Sequence, residues 1–143
     1  MAEDAETLAR RCAEALWNDD EAARQLDLAL DAVGPGTATV SMTVIGTMVN
    51  GYGVCHGGYI FTLAHTALSI ASQTRNRRSV AQNCHIAFVA PGRLGERLVA
   101  RARERHTAAR SGIWDVAVRT SSGEAIAEFR GHARHVGGNV VGD

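Results

Sequence analysis

The apolar positions change period along the chain, and each change marks an element. Residues 5–17 set Leu8, Cys12, Ala15 and Leu16 at helical spacing, which predicts a short amphipathic helix on the surface. Leu26–Val33 alternates with period two and predicts a strand, Gly34–Gly36 reads as a turn, and Ala38–Ile45 predicts a second, hairpin-paired strand. The pattern then switches. A polar, glycine-rich loop from Asn50 to Gly57 opens into a long apolar helix that carries the segment to Thr74. Ile60, Leu63, Ala64, Ala67, Leu68 and Ala71 form one stripe of that helix. Thr62, His65, Thr66, Ser69 and Ser72 gather opposite. A helix this apolar, with only neutral polar groups on its other side, is buried on most sides, and its polar stripe faces a site or a subunit partner.

After a charged turn at Asn76–Arg78, four strand-like runs follow: Val80–Val89, Glu96–Arg105, Gly112–Thr120 and Ala125–His135. Their breaks are short and regular, which predicts an antiparallel meander. The glycine-rich tail after Val136 is expected to fray. The order α, β, β, long α, β, β, β, β predicts an α+β fold with a sheet wrapped around one buried helix.

Composition narrows the class. Apolar residues make up 45% of the 143, enough for a single folded domain (1–143) and too many for a disordered chain. Fifteen basic and fifteen acidic residues cancel, and no basic run forms a stripe, so nucleic-acid binding is not expected. All fifteen basic residues are arginine. Three widely spaced cysteines do not make a disulfide framework, the acidic N-terminus does not read as a signal peptide, and no apolar run is long enough to span a membrane. A reducing cytoplasm is expected.

The candidate chemistry lies where the loop meets the long helix. The first amides of a helix lack internal partners and carry the positive end of its dipole. Gly57 and Gly58 therefore read as donors for an oxyanion or a polarised carbonyl, with a helix-start packing role as the plain alternative. Asn50 either lines the site or occupies a left-handed turn position, which Asn tolerates. His56 reads as orienting the loop. His65 is either a base, competent at pH 7 as a neutral imidazole, or a structural histidine of a buried helix face. Ser69 lies one turn after His65 and can bond it or a water, and Asn83 on the following strand can orient a water. Arg93, Arg110 and Arg130 suit phosphate groups, and Ser111 and Gly112 suit a nucleotide-contacting turn. His132 and His135 are three apart on a strand and point to opposite faces, and no Cys/His spacing suits zinc, so no metal is expected. Cys55 beside His56 is adjacent in sequence only and does not make a dyad.

These motifs together resemble a family. Asn50, Gly51, His56, Gly57 and Gly58 form N-G-x-x-x-x-H-G-G; Phe88, Pro91, Gly92, Arg93, Gly95 and Glu96 form F-x-x-P-G-R-x-G-E. With R-S-G-x-W-D-V at Arg110–Val116 and the closing F-R-G-H-A-R-H, the chain resembles the hotdog-fold acyl-CoA thioesterases of the phenylacetic-acid-degradation (PaaI-like) type from about Leu8 to Gly138. The resemblance implies a hotdog fold and hydrolysis of (hydroxy)phenylacetyl-CoA or related medium-chain and aryl acyl-CoA thioesters, with no cofactor beyond the coenzyme A of the substrate. It implies that Gly57 polarises the thioester carbonyl and that Asn50 helps place the carbonyl or the attacking water. It also implies that Gly58, Thr66, Pro91, Gly92, Arg93, Arg110, Ser111 and Gly112 lie along the acyl-CoA. Subunits of such enzymes pair through their sheets, with sites at the dimer interface and a homotetramer as the expected assembly. The family's catalytic carboxylate falls eight residues after Gly57, on the partner subunit's helix, and here that position is His65. Imidazole can replace a carboxylate that activates water but not one that attacks to form an anhydride. An acyl-CoA binder with lost or reduced turnover is therefore the alternative. A hotdog hydratase or dehydratase ranks below both, because the His/Asp spacing of those enzymes is not evident.

Overall fold

The computed structural model describes residues 2–142. Helix α1 (Ala5–Asn18) starts at Asp4, whose side chain accepts from the Thr7 amide at 2.8 Å. A short helix α2 (Glu21–Gln25) follows, capped by Asp20 through the Ala23 amide at 2.9 Å. The strand expected from Leu26 instead begins three residues later: Leu26 closes α2, and Asp27 sits at φ 53°. Strand β1 runs Ala29–Gly34 and pairs across the tight turn with β2 (Thr37–Thr43).

A 3-10 turn at Gly46–Met48 leads through the polar loop into α3 (Gly57–Ala71). Strands β3 (Ser79–Phe88), β4 (Arg97–Thr107), β5 (Ser111–Thr120) and β6 (Ala125–His135) complete one antiparallel sheet in the order β1-β2-β4-β5-β6-β3. The simple meander is thus corrected. Of the four strands after α3, only β4, β5 and β6 follow one another. Helix α3 carries the chain across the sheet, so β3 lands at the far edge, beside β6.

The inner face of the sheet and one side of α3 make the core. Val40, Met42, Leu98, Ala100, Trp114, Val116, Val118, Ile126 and Phe129 meet Ile60, Leu63, Ala64, Ala67 and Leu68. Burying each large aliphatic here contributes about 1.5–3 kcal/mol. The apolar stripe expected on α3 is buried throughout, with Ile70 added to it. Gly131 on β6 lets helix and sheet close up: a Cβ there would stand 2.4 Å from Leu68 Cδ2. The outer face is polar. Along β5, Trp114, Val116 and Val118 are buried, while Asp115 between them receives two hydrogen bonds from Arg130 (2.6 and 2.9 Å).

The tail expected to fray is hydrogen-bonded back to the fold as far as Gly142. Asn76, at φ 62°, accepts from the Val140 and Val141 amides (2.8 Å each) and donates to the Val141 carbonyl at 3.0 Å. Arg11 of α1 donates to the Gly142 carbonyl at 2.9 Å. One asparagine on the α3–β3 turn therefore anchors the tail at Val140 and Val141. Among the described residues, no helix is long and apolar enough to cross a membrane.

Candidate active site

Two loops meet at the start of α3. The Cys55 amide donates to the Gly92 carbonyl at 2.7 Å, and Val54 pairs with Arg93 in a single bridge. Sequence-distant Asn50, His56, Gly57, Gly58, Pro91, Gly92 and Arg93 are thereby brought together. Asn50 holds the loop in shape. Its Oδ1 accepts from the amides of Tyr52 (2.9 Å) and Val54 (3.3 Å), and its own amide donates to the Val54 carbonyl at 2.8 Å. The left-handed alternative for Asn50 is excluded, since the positive-φ non-glycine positions among the described residues are Asp27 and Asn76. With Oδ1 committed, the Asn50 group left for a ligand is the Nδ2 donor.

His56 is the N-cap of α3, and its Nδ1 accepts from the Gly58 amide at 3.0 Å. The Gly58 amide is thus committed, correcting the expectation that both glycines offer donors. The bond needs a bare Nδ1, so the neutral His56 ring carries its proton on Nε2. Gly57 is left as the first-turn amide with no partner among the described residues. A Cβ on Gly57 would stand 2.9 Å from Cζ of Phe88, so the aromatic ring lies directly over this position. Val54, Ile60, Phe88, Val89, Ala90 and Pro91 wall an open cleft of about 420 Å³ around Gly57. The cleft is lined mainly by apolar side chains, and Gly57, whose amide has no partner among the described residues, is part of its lining. An acyl or thioester group fits that chemistry.

His65 lies on the same helix, about 12 Å farther along at 1.5 Å per residue. It is half-buried and stacks on Phe61, with ring centroids 6.2 Å apart and planes 25° apart. Phe61 in turn meets Phe129 edge-on at 5.4 Å. Burial pulls the His65 pKa below its ordinary value of 6.5, and the charge of Asp20 partly offsets this. Within one subunit, Gly57 and His65 are too far apart to act on one carbonyl. Thr66 is buried, its hydroxyl donating to the Thr62 carbonyl at 2.7 Å. Ser69 is half-buried, and its carbonyl accepts from Ser72 and Gln73. Asn83 is exposed on β3, the sheet edge.

The β4–β5 hairpin lies at the other end of the sheet, near the C-terminus of α3. Arg110 and Ser111 are exposed there, and the Arg110 carbonyl accepts from the His135 amide at 2.8 Å. Gly112 is buried beneath Trp114; a Cβ would come within 2.6 Å of the indole and 2.8 Å of the His106 carbonyl oxygen. Packing therefore explains this glycine. Arg130 is engaged by Asp115 on the outer face. Burial raises the pKa of Cys55, so no thiolate stands beside His56. Among the described residues no cluster of His, Cys, Asp or Glu could hold a metal. Sequence reading missed the placement of Phe88 over Gly57 and the Phe61–His65 stack. The second was signalled by the four-residue spacing of two rings on one helix.

The same fold occurs in known proteins. Residues 52–127 match the thioesterase superfamily model. The chain is 35% identical over 131 residues to the acyl-coenzyme A thioesterase PaaI of Escherichia coli, covering 92% of this chain and 94% of that one. The solved structure of the E. coli PaaI protein from the phenylacetic acid degradation operon superposes with a TM-score of 0.93, covering 95% and 99% of the two chains at 34% identity. The smu.793 protein of Streptococcus mutans, solved bound to acetyl CoA, superposes with a TM-score of 0.76 at 25% identity, over 78% of this chain and 90% of that one. With a hotdog sheet around α3 and a free glycine amide at the helix start, this chain belongs to the thioesterase superfamily, and within it to the PaaI-type acyl-CoA thioesterases.

Proposed function

We propose that this protein hydrolyses (hydroxy)phenylacetyl-CoA, or a related aryl or medium-chain acyl-CoA thioester, to the free acid and CoA, in a site shared by two subunits. The observation that carries this is the uncommitted amide of Gly57, a residue lining an apolar cleft, about 12 Å along the helix from the only imidazole of α3. Strand β3 pairs on one side with β6 and ends the sheet. A two-fold axis beside β3 would pair the β3 edges antiparallel. The start of α3 in one subunit would then lie beside the middle of α3 in the other, with the partner's Arg110–Ser111 hairpin close to the cleft mouth.

In this reading the thioester oxygen accepts from Gly57 N–H, and Phe88 flanks the acyl or pantetheine stem. Asn50 Nδ2 and Asn83 hold the water, while His56 keeps the loop in shape. A water attacks the carbonyl carbon, and His65 of the partner subunit takes the proton it releases. The oxyanion collapses, the C–S bond breaks, and the imidazolium returns its proton to the departing thiolate. Arg93, Arg110 and Ser111 contact the phosphates of CoA. The cycle needs no cofactor. A pair of such dimers in the cytoplasm completes the reading; the three free cysteines favour a reducing compartment.

One observation favours a second reading. His65 is half-buried against Phe61, where a carboxylate serves in the family, so the protein would bind acyl-CoA with little turnover. Free-thiol release from phenylacetyl-CoA, 3-hydroxyphenylacetyl-CoA and hexanoyl-CoA separates the two. Release by the native protein and its loss in His65→Ala support the first reading. Release only in His65→Asp supports the second.

A further inference from the structure

Away from the cleft, two buried polar side-chain atoms have no protein partner among the described residues: Trp114 Nε1 and His135 Nε2. Trp114 is 1% exposed. Both residues line one small cavity of about 20 Å³ between the C-terminal end of α3 and the sheet. A cavity of roughly 10–15 Å³ suffices for one water, and the site must supply polar partners. The indole offers only a donor. His135 Nδ1 is fixed by Ser79 Oγ at 2.6 Å, which leaves Nε2 for the cavity. Ser72, whose hydroxyl proton goes to the Ser69 carbonyl at 3.2 Å, also lines the space and keeps its lone pairs.

We infer that this cavity is a binding site for a single water, which accepts from Trp114 Nε1–H and bridges to His135 Nε2. An uncharged occupant fits the surroundings. The Arg75 guanidinium at the rim pairs with Glu104, and that of Arg77 bonds the Ala109 carbonyl. The water then joins β5 to β6, the Ser79–His135 bond joins β6 to β3, and the Ser79 amide bonds Gln73 Oε1 at 3.1 Å just beyond α3. Two otherwise unpaired groups become links in one tie between helix and sheet.

The test is a high-resolution crystal structure of the full chain grown without halide, with a second crystal soaked in bromide. A solvent peak within about 3.2 Å of both nitrogens, unchanged by bromide, is the expected result. In solution, the Trp114 indole N–H should show a cross-peak to a long-lived water, assigned in a Trp17→Phe background. A dry cavity, or a direct bond from the indole to a protein group, overturns the inference. So does an anomalous bromide peak, which would make the site one for an anion.

Discussion

The two ends of α3 are built on opposite rules. At the N-terminal end, His56 caps the Gly58 amide, the Gly57 amide stays free, and Gly57 lines an open apolar cleft. At the C-terminal end, the buried side chains of Gln73 and Thr74 each find both a donor and an acceptor in the protein. Gln73 takes the Ser79 amide and gives to the Ser69 carbonyl at 3.0 Å. Thr74 Oγ1 gives to the Ala71 carbonyl at 2.9 Å and takes the Gly36 amide at 2.8 Å. A satisfied terminus holds the helix in the sheet. An unsatisfied one can bind charge, because an unpaired amide gains most from a developing oxyanion. Stability and chemistry are thus separated along one helix.

Substitutions at the two ends should therefore separate the same way. The largest effect is expected at Gly57. Proline suits the first helical position and removes the N–H, while alanine keeps it. Both put a Cβ against Phe88, so their difference isolates the amide. Gly57→Pro should lower kcat by about 10²–10³ relative to Gly57→Ala at similar Tm, in steady-state thiol release. Next comes His65. His65→Ala should cost about 10²–10⁴ in kcat. The pH profile of the native enzyme should hold level below pH 6.5, because burial lowers the His65 pKa and keeps the ring neutral there. Activity should then fall as acid charges it.

At the other end, activity should survive and stability should not. Gln73→Ala leaves the Ser79 amide buried without its partner and should cost about 1–3 kcal/mol in urea unfolding, with kcat unchanged. His135 adds a pH signature. Burial, with the charge of Arg77, lowers its folded pKa below 6.5. The unfolded chain then takes up the proton first. Its contribution to stability is complete above about pH 6.5 and declines as pH falls from there through the lower folded value. His65 adds to the same trend. The smallest effect is expected on the outer face. Asp115→Asn weakens a partly exposed pair and should cost about 0–1 kcal/mol.

Much of this contrast is legible in the sequence, and the remainder has physical reasons. The apolar stripe of α3 and the four later strands can be read because their periods are long and regular. Helix α2 was hidden: its five residues rest on one Asp20 cap and carry no period. The position of β3 was hidden as well, since strand order depends on where α3 crosses the sheet. The tail looked free because the role of Asn76 depends on a turn 64 residues before Val140. At the site, the donor character of the H-G-G start was visible. Which glycine keeps its amide was not, since that depends on the rotamer of His56. The clustering of Pro91–Arg93 with Asn50–Gly58 follows from one backbone contact, Cys55 to Gly92.

The most direct measurement is subunit complementation. Gly57→Pro and His65→Ala are purified separately, co-refolded in equal amounts, and assayed for thiol release. A site shared across a two-fold leaves one intact site in each mixed dimer, so about a quarter of native activity should return from two inactive parents. No recovery, with mixed dimers demonstrated by mass, would contradict a site shared between Gly57 of one subunit and His65 of the other.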